Sequence, residues 1–410
     1  MADRRKEART DDSTTSLTDS LRSLIIDNWN AGLHLLTNSD LEKAKPEYIL
    51  SRMLSTKSAI STDSSLAEMN QRAQEDASMQ TFASIGAGQT GTVYALKGTT
   101  LVIKLPNSPD RSNSVFDDFK SHKAAYQAFQ GVSAILRVHV HVPALKTWVT
   151  PTSSHFWRNN AGLFPQGVQT PDYGLVSERI YPLPAPVRSA LVDTFAPKAV
   201  KERKHDFLRT PSNKDCLIRI YLGRRNSDKS STPADKFHLR NFPLHVNEME
   251  YLKLDTSYYA KLMAQALAIL HWRAGLDAND VEFVFGSSPE VTQLPTDNDL
   301  VGLDKDSAAS LFMTDFHHRT VSVWLLDFNL CGTFSKDASG LKKLVDGFYW
   351  NDPYYPRPSA AGSGDQELWK VFAKHYVEVS AEFVQHTMPQ AFIDAVEERG
   401  KKRSVNNLFG

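Results

Sequence analysis

The segment Phe82–Leu105, FASIGAGQTGTVYALKGTTLVIKL, constrains this chain more than any other. Three apolar strand patterns alternate with two glycine-containing turns, which predicts an antiparallel meander. The first turn, Gly86-Ala87-Gly88-Gln89-Thr90-Gly91-Thr92-Val93, fits G-x-G-x-x-G-x-V. Glycines at a hairpin tip let the backbone close on a phosphate, or simply permit a tight turn. A dinucleotide-binding fingerprint needs its glycines between a strand and a helix. Here a second strand follows, which excludes that reading. The third strand pattern carries Leu101-Val102-Ile103-Lys104. A glycine hairpin over phosphates with a strand lysine reaching them suits a nucleotide; an ordinary hairpin with an exposed lysine has the same composition. Gly86, Gly88, Gly91 and Lys104 are therefore candidate adenosine- or phosphate-binding residues. Glu178 and Ile180, closing the strand pattern Gly174–Ile180, are grouped with them.

A second set of motifs lies in the C-terminal half. Tyr258–Trp272 (YYAKLMAQALAILHW) predicts a buried helix that includes Leu270-His271 near its end. Asp277 and Glu282 follow in a turn, then the short apolar strand Phe283–Phe285. Further on, Trp324-Leu325-Leu326-Asp327-Phe328-Asn329 is a strand running into a carboxylate. In this order, these elements resemble the motifs of protein kinases. That resemblance implies an α+β, two-lobed, kinase-like fold with a β-rich N-lobe and a helical C-lobe. It also implies Lys104 on the phosphates, Asp277 as base, and Glu282 and Asp327 as metal ligands if the chain transfers phosphoryl groups. There are departures. Glu282 stands where Asn is expected, Asn329 replaces a glycine, and no His-Arg pair precedes Asp277. The helix after Lys104 offers Asp117 and Asp118 but no glutamate to hold the lysine. Such a pattern predicts a divergent small-molecule kinase or a scaffold put to another use.

The rest of the chain is arranged around these motifs. Residues 1–20 lack an apolar core, so they are not a signal peptide and are expected to be disordered. Leu21–Leu36 has helical spacing and opens a helical extension over 21–80, with weaker helical pattern after residue 36. The expected N-lobe covers 81–180, with a helix from Val115 to Gln130 and strands at Ile135–Val142 and Gly174–Ile180. The expected C-lobe covers 181–410, with a strand at Cys216–Leu222, short strands at Phe283–Phe285 and Val321–Leu326 around a long polar loop, and a helical tail over Asp365–Arg399. A basic insertion is expected at 196–240. No apolar run approaches the roughly 18 residues a membrane crossing needs, so the expected location is the cytoplasm with no membrane partner. Cys216 and Cys331 are the only cysteines, which excludes a disulfide scaffold and a Cys-rich zinc finger. With 47 basic and 47 acidic residues, a chain that coats nucleic acid over its whole surface is excluded, and no DNA partner is expected.

Local charge is another matter. Asp277, Asp280 and Glu282 put three carboxylates within six residues, where a buried helix meets a buried strand. They are the candidate catalytic residues. Close carboxylates can hold Mg²⁺, act as general base or clamp a guanidinium, and a solvated acidic turn looks the same in sequence. With two ionised, the third has a raised pKa. Residues 196–240 hold twelve Lys and Arg against five Asp and Glu, a surplus of seven, so the rest of the chain carries minus seven. A stripe of that length suits a polyanion more than a free nucleotide; a solvated insertion is the alternative. Arg203, Lys204, Arg224 and Arg225 are the candidate contacts to such a polyanion, a nucleic acid foremost. Asn351–Pro358 (NDPYYPRP) is expected to be a structural corner of the C-lobe. His317-His318 is expected to be an exposed loop pair, and no third ligand at metal spacing accompanies it, so no metal site is assigned.

Five segments are similar to a fungal family left as domains of unknown function under the label "zinc finger protein". They are ERIYPLP (178–184), CLIRIYLGRR (216–225), ILHWRAGLDANDVEFVFG (269–286), LLDFNLC (325–331) and NDPYYPRP (351–358). The similarity covers roughly residues 80–390, and the cysteine count contradicts the label. Characterised members of that family resemble arginine-containing cyclodipeptide synthases. These take aminoacyl-tRNAs and release cyclo-arginyl dipeptides in fungal secondary metabolism. The resemblance implies a cofactor-free aminoacyl transferase whose partners are aminoacyl-tRNAs, arginyl-tRNA among them. It places the family's acidic motif on Asp277–Glu282. Two other readings stay open: a phosphotransferase dependent on Mg-ATP, and a catalytically inactive kinase-like module.

Overall fold

The computed structural model describes residues 34–61, 64–132, 136, 139–226, 228–290, 301, 302, 304, 313–358 and 362–408. The expected disordered tail and most of the expected helix Leu21–Leu36 lie outside them. The last three residues of that expected helix, His34–Leu36, form a strand, β1, parallel to β2 (Ser58–Ser61). Short helices Asn38–Lys43, Pro46–Leu54 and Ser65–Glu75 fill the rest of the extension.

The glycine hairpin folds as its pattern requires. β3 (Phe82–Ala87), β4 (Gly91–Leu96) and β5 (Leu101–Pro106) form an antiparallel meander. Beyond β6 (Val140–His141), β7 (Leu145–Val149) and β8 (Gly174–Glu178) complete a five-stranded sheet in the order β3-β4-β5-β8-β7. Side chains on a strand point alternately to opposite faces. Ile103 and Leu105 therefore join Phe82, Trp157 and Val176 in a small apolar core, while Val102 and Lys104 face the other way, into a cleft. The helix Ser112–Gln130 crosses that second face and buries Val115, Asp118, Ser121, His122 and Ala125 at helical spacing.

The larger sheet has seven strands. It adds β9 (Ile218–Tyr221), β10 (Phe242–His245), β11 (Glu282–Glu290) and β12 (Asp315–Leu326). Its order is β1-β2-β12-β11-β9-β10, with β6 pairing β12 off that path. β11 and β12 form a long antiparallel hairpin rather than the two short strands expected; most of the polar loop between them lies outside the described residues. Two expectations change here. The extension at 37–80 is not appended, because β2 pairs with β12 near the middle of the sheet. Nor is 196–240 an insertion. β9 lies between β11 and β10, with Ile218 and Ile220 fully buried.

Helix Thr256–Ala268 is apolar over most of its surface, with Lys261 on its exposed side. It buries nine of its thirteen residues, and only a helix inside the core can do that. It continues into a wider turn, Ile269–Ala274, which Gly275 ends in a left-handed conformation at φ +70°. The tail is two helices, Ser363–Ala381 and Met388–Leu408. Fully buried Tyr259, Phe283, Phe285, Phe348 and Phe372 belong to this core, each contributing about 2 kcal/mol by leaving water. Among the described residues, no helix is long and apolar enough to cross a membrane.

Candidate functional site

A cleft of about 520 Å³ lies between the glycine hairpin and the larger sheet. Its lining includes Gly86, Gly88, Gly91, Lys104, Glu178, Ile180, Glu282 and Asp327, so eight of the sequence candidates meet in one place. The hairpin is built to stay tight. Gly88 N–H donates to Gly91 O at 3.0 Å, and Asn107 Nδ2 donates to Gly88 O at 2.8 Å. A Cβ on Gly91 would sit 2.5 Å from Leu105 O, so only glycine fits against β5.

Lys104 is held by the first turns of the helix Ser112–Gln130. Its Nζ lies 2.6 Å from Asp118 Oδ2, with the two side chains 15% and 6% exposed. Asp118 thus holds the lysine, whereas Asp117 faces outward and pairs with Lys120. Facing the lysine are the acids of the larger sheet. Glu282, opening β11, lies 2.5 Å from Arg219 on β9. Burial pushes its pKa up to about 7; Arg219 opposes this, and the charges of Asp327 and Asp280 add to it. Asp327, just after β12, is likewise raised by burial to about 6, against the pull of Lys104. The backbone around these acids is strained. Ala278, Asp280 and Asp327 all adopt left-handed conformations, at φ +54°, +64° and +66°. Residues with a Cβ rarely do so, and such strain gathers at functional sites.

The three carboxylates of the acidic turn have separate surroundings. Asp277 is 2% exposed and does not line the cleft. Its Oδ1 accepts Gly332 N–H at 2.9 Å and Asn279 N–H at 3.1 Å, and its Oδ2 lies 3.0 Å from Lys343 Nζ. It therefore braces the turn against the segment after β12 and is not presented to a substrate, contrary to the sequence expectation. Asp280 is half-buried. Its N–H donates to Asn351 Oδ1 at 2.7 Å, and its Oδ1 accepts the Trp350 indole N–H at 3.2 Å. Asn351 also donates to Ala278 O at 2.9 Å. The Asn351–Pro358 segment is the structural corner expected, since Leu222 N–H and Gly223 N–H donate to Tyr354 O and Pro353 O.

The basic stretch is largely spoken for. Arg225 forks onto both Glu250 and Asp365. Lys204 pairs with Asp193 at 2.5 Å, and Arg224 lies 3.7 Å from Asp352. Arg203 is exposed, and among the described residues its side chain bonds only back to Ala199 O, at 3.4 Å. None of the four lines the cleft. Instead Arg219 and Arg240 of that stretch do, together with Arg179, Asp215 and His122, none of which the sequence singled out for the site. His317 and His318 belong to β12; His318 is buried and bonded to Asp315, so it is not an exposed loop residue. Cys216 is buried in the core, with its thiol pushed up to about 12 by that burial. Among the described residues, no three His, Cys, Asp or Glu side chains come together as a metal site.

Residues 323–388 match the model of a domain-of-unknown-function family described as "Zinc finger protein". The match contains Leu325–Cys331 and Asn351–Pro358, two of the five segments that carry the family resemblance, and with them Asp327 and the Trp350–Asn351 brace of Asp280. No curated protein matches the chain.

Proposed function

We propose that this protein is a tRNA-dependent cyclodipeptide synthase on a kinase-like scaffold, joining an arginyl group to a second aminoacyl group. The kinase-like reading draws on the five-stranded sheet with its glycine hairpin, the Lys104–Asp118 pair, and Asp327 after the β11–β12 hairpin. The observation that carries the function is Glu282. It is a cleft carboxyl with a pKa of about 7, close to that of an α-amine, which is near 8. Proton exchange between matched groups suits a general base.

In this mechanism Glu282 takes a proton from the α-ammonium of one aminoacyl-tRNA. The freed amine attacks the ester carbonyl of the other. The tetrahedral intermediate collapses by breaking the bond to the ribose oxygen, which leaves with a proton. The free amine of the resulting dipeptidyl ester then attacks its own ester carbonyl, closing the six-membered ring and releasing the second tRNA. No cofactor is consumed, since the esters are already activated. Asp327, which lines the cleft, supplies negative charge suited to an arginine side chain. A cytoplasmic location follows from the need for aminoacyl-tRNA.

A phosphotransferase is the second reading, favoured by the Lys104–Asp118 pair beside the glycine hairpin. Against it, Glu282, which would be the metal ligand, is already neutralised by Arg219. Mass spectrometry of small molecules from cells expressing the protein decides between them. Cyclo-arginyl dipeptides are expected, and they should disappear with Glu282→Gln. ATP-dependent phosphorylation of a small molecule, without any diketopiperazine, would overturn the proposal.

A further inference from the structure

The cleft has a second charged region that the proposed chemistry does not use. Arg179, directly after β8, lines the cleft yet is only 5% exposed, and its Nε has no hydrogen-bond partner. Behind it lies Arg319, 4% exposed, which donates from Nη2 to Ser287 Oγ at 2.6 Å and to Pro182 O at 3.3 Å while its Nε stays unpartnered. The two guanidinium groups share one fully buried ring, lying 4.3 and 4.5 Å from the centre of Tyr181. Arg240 joins the lining, its guanidinium donating to Ile85 O at 2.6 Å beside the glycine hairpin. Arg188 is spent on Leu183 O and Asn213 O, at 3.2 and 3.3 Å. Among the described residues none of these four arginines has a carboxylate within ion-pair distance. Asp215, which also lines the cleft, senses Arg179, Arg240, Arg188 and Lys214. Three guanidinium groups and one ammonium acting on one carboxylate leave a surplus of positive charge. Burying an unpaired cation costs several kcal/mol, more than stacking on an aromatic ring returns. An anionic ligand group is what balances such a site.

We infer that Arg179 and Arg240, backed by Arg188 and Arg319, form a phosphate-binding subsite that holds the backbone phosphodiester of a single-stranded RNA 3′ end. The assignment rests on the function proposed above. Guanidinium forks match phosphate oxygens two at a time. The cations acting on Glu282 and Asp327 are Arg219 and Lys104, both already paired, whereas those acting on Asp215 are a different set. The cleft therefore has a reacting region and a separate anchoring region. A terminal adenosine carrying an aminoacyl ester presents its 5′ phosphodiester a few bonds from the ester. With the ester at Glu282, that phosphate needs a cation inside the same 520 Å³ cleft. In a kinase-type complex the phosphates would go instead to the glycine hairpin and Lys104.

The test uses the full chain and three probes: the trinucleotide CCA, ATP and adenosine. Their affinities are measured for wild type, Arg240→Gln and Arg179→Gln at two salt concentrations. CCA binding should weaken at least about tenfold in each variant, and its salt slope should fall by roughly 0.7 per lost contact. Adenosine binding should stay within about twofold. Arg240 is half-exposed, so Arg240→Gln keeps the test valid if Arg179→Gln does not fold. Unchanged CCA affinity in a folded Arg240→Gln overturns the subsite while leaving the synthase proposal standing. ATP binding that is lost in the variants, with no CCA binding by wild type, overturns the RNA assignment and the synthase proposal together. Failure of wild type to bind either phosphate-bearing probe overturns the subsite.

Discussion

Replacing Glu282 by Gln should make the protein inactive and, above neutral pH, more stable. The carboxyl titrates near 4.5 in an unfolded chain and at about 7 in the cleft. Between those values the folded state keeps a proton that the unfolded state has released. Stability therefore falls as pH rises through this window. Each pH unit of separation is worth about 1.4 kcal/mol, so the full window is worth about 3 kcal/mol. Arg219 remains beside the residue, and a neutral amide oxygen accepts its N–H much as the neutral acid does. Asp327 titrates in both proteins and largely cancels in the comparison. Urea unfolding at pH 4.5 and at pH 8 measures the difference, with the slope checked for constancy. Wild type and variant should be about equally stable at pH 4.5, and the variant should be ahead by about 3 kcal/mol at pH 8. Product formation should drop by roughly 10²–10⁴. Parallel stability profiles at the two pH values would show that Glu282 is not held neutral by its surroundings, and the general-base argument would fail with it.

Other perturbations separate support from chemistry. Asp277→Ala strands two partly buried N–H donors, those of Gly332 and Asn279, and should cost about 2 kcal/mol in urea unfolding; Asp277→Asn, which keeps one oxygen for both, should cost less and retain product. Lys104→Met or Asp118→Asn alone should each cost about 3–5 kcal/mol, as for any buried pair left with one charge, and the double variant should cost less than the sum in a double-mutant cycle. Charge reversal at exposed Lys201, Arg203, Arg209 and Lys214 should lower the salt slope of tRNA binding by about 3, near 0.7–0.9 per contact. Alanine at Arg225 should instead loosen the contact to Glu250 and Asp365, read as lost stability with an unchanged slope.

The parts of the site that sequence exposed are those governed by local backbone needs. Gly86–Gly91, the strand around Lys104, and the carboxylates bordering β11 and β12 each announce themselves within a few residues. The choice between Asp117 and Asp118 was also readable. Val115, Asp118, Ser121, His122 and Ala125 follow helical spacing, and they form the buried face. Arg179, Arg219, Arg240 and Asp215 gave no such signal, because each reaches the cleft only through pairings between distant segments. β9 reads as a strand from its Ile-Arg-Ile-Tyr alternation, yet nothing local says that its neighbour will be β11. The same holds for β2, whose partner β12 lies some 250 residues further along the chain.

Asp277 shows the limit most clearly. A catalytic aspartate and a structural brace have the same residue type and the same spacing to the following strand. What separates them here is the Gly332 N–H and the Lys343 ammonium, both supplied from more than fifty residues downstream. Glu282 makes the opposite case. Its departure from the kinase pattern is visible in the sequence, but its surroundings are set by Arg219, which in sequence is one of twelve basic residues in 196–240. That guanidinium lies 2.5 Å from the carboxylate and opposes the rise that burial gives its pKa. Part of the surplus charge in 196–240 is thus turned inward, toward the acids of the cleft. The acids and the arginines of the cleft thus come together only through the pairing of β9 with β11, which no local pattern in either segment specifies.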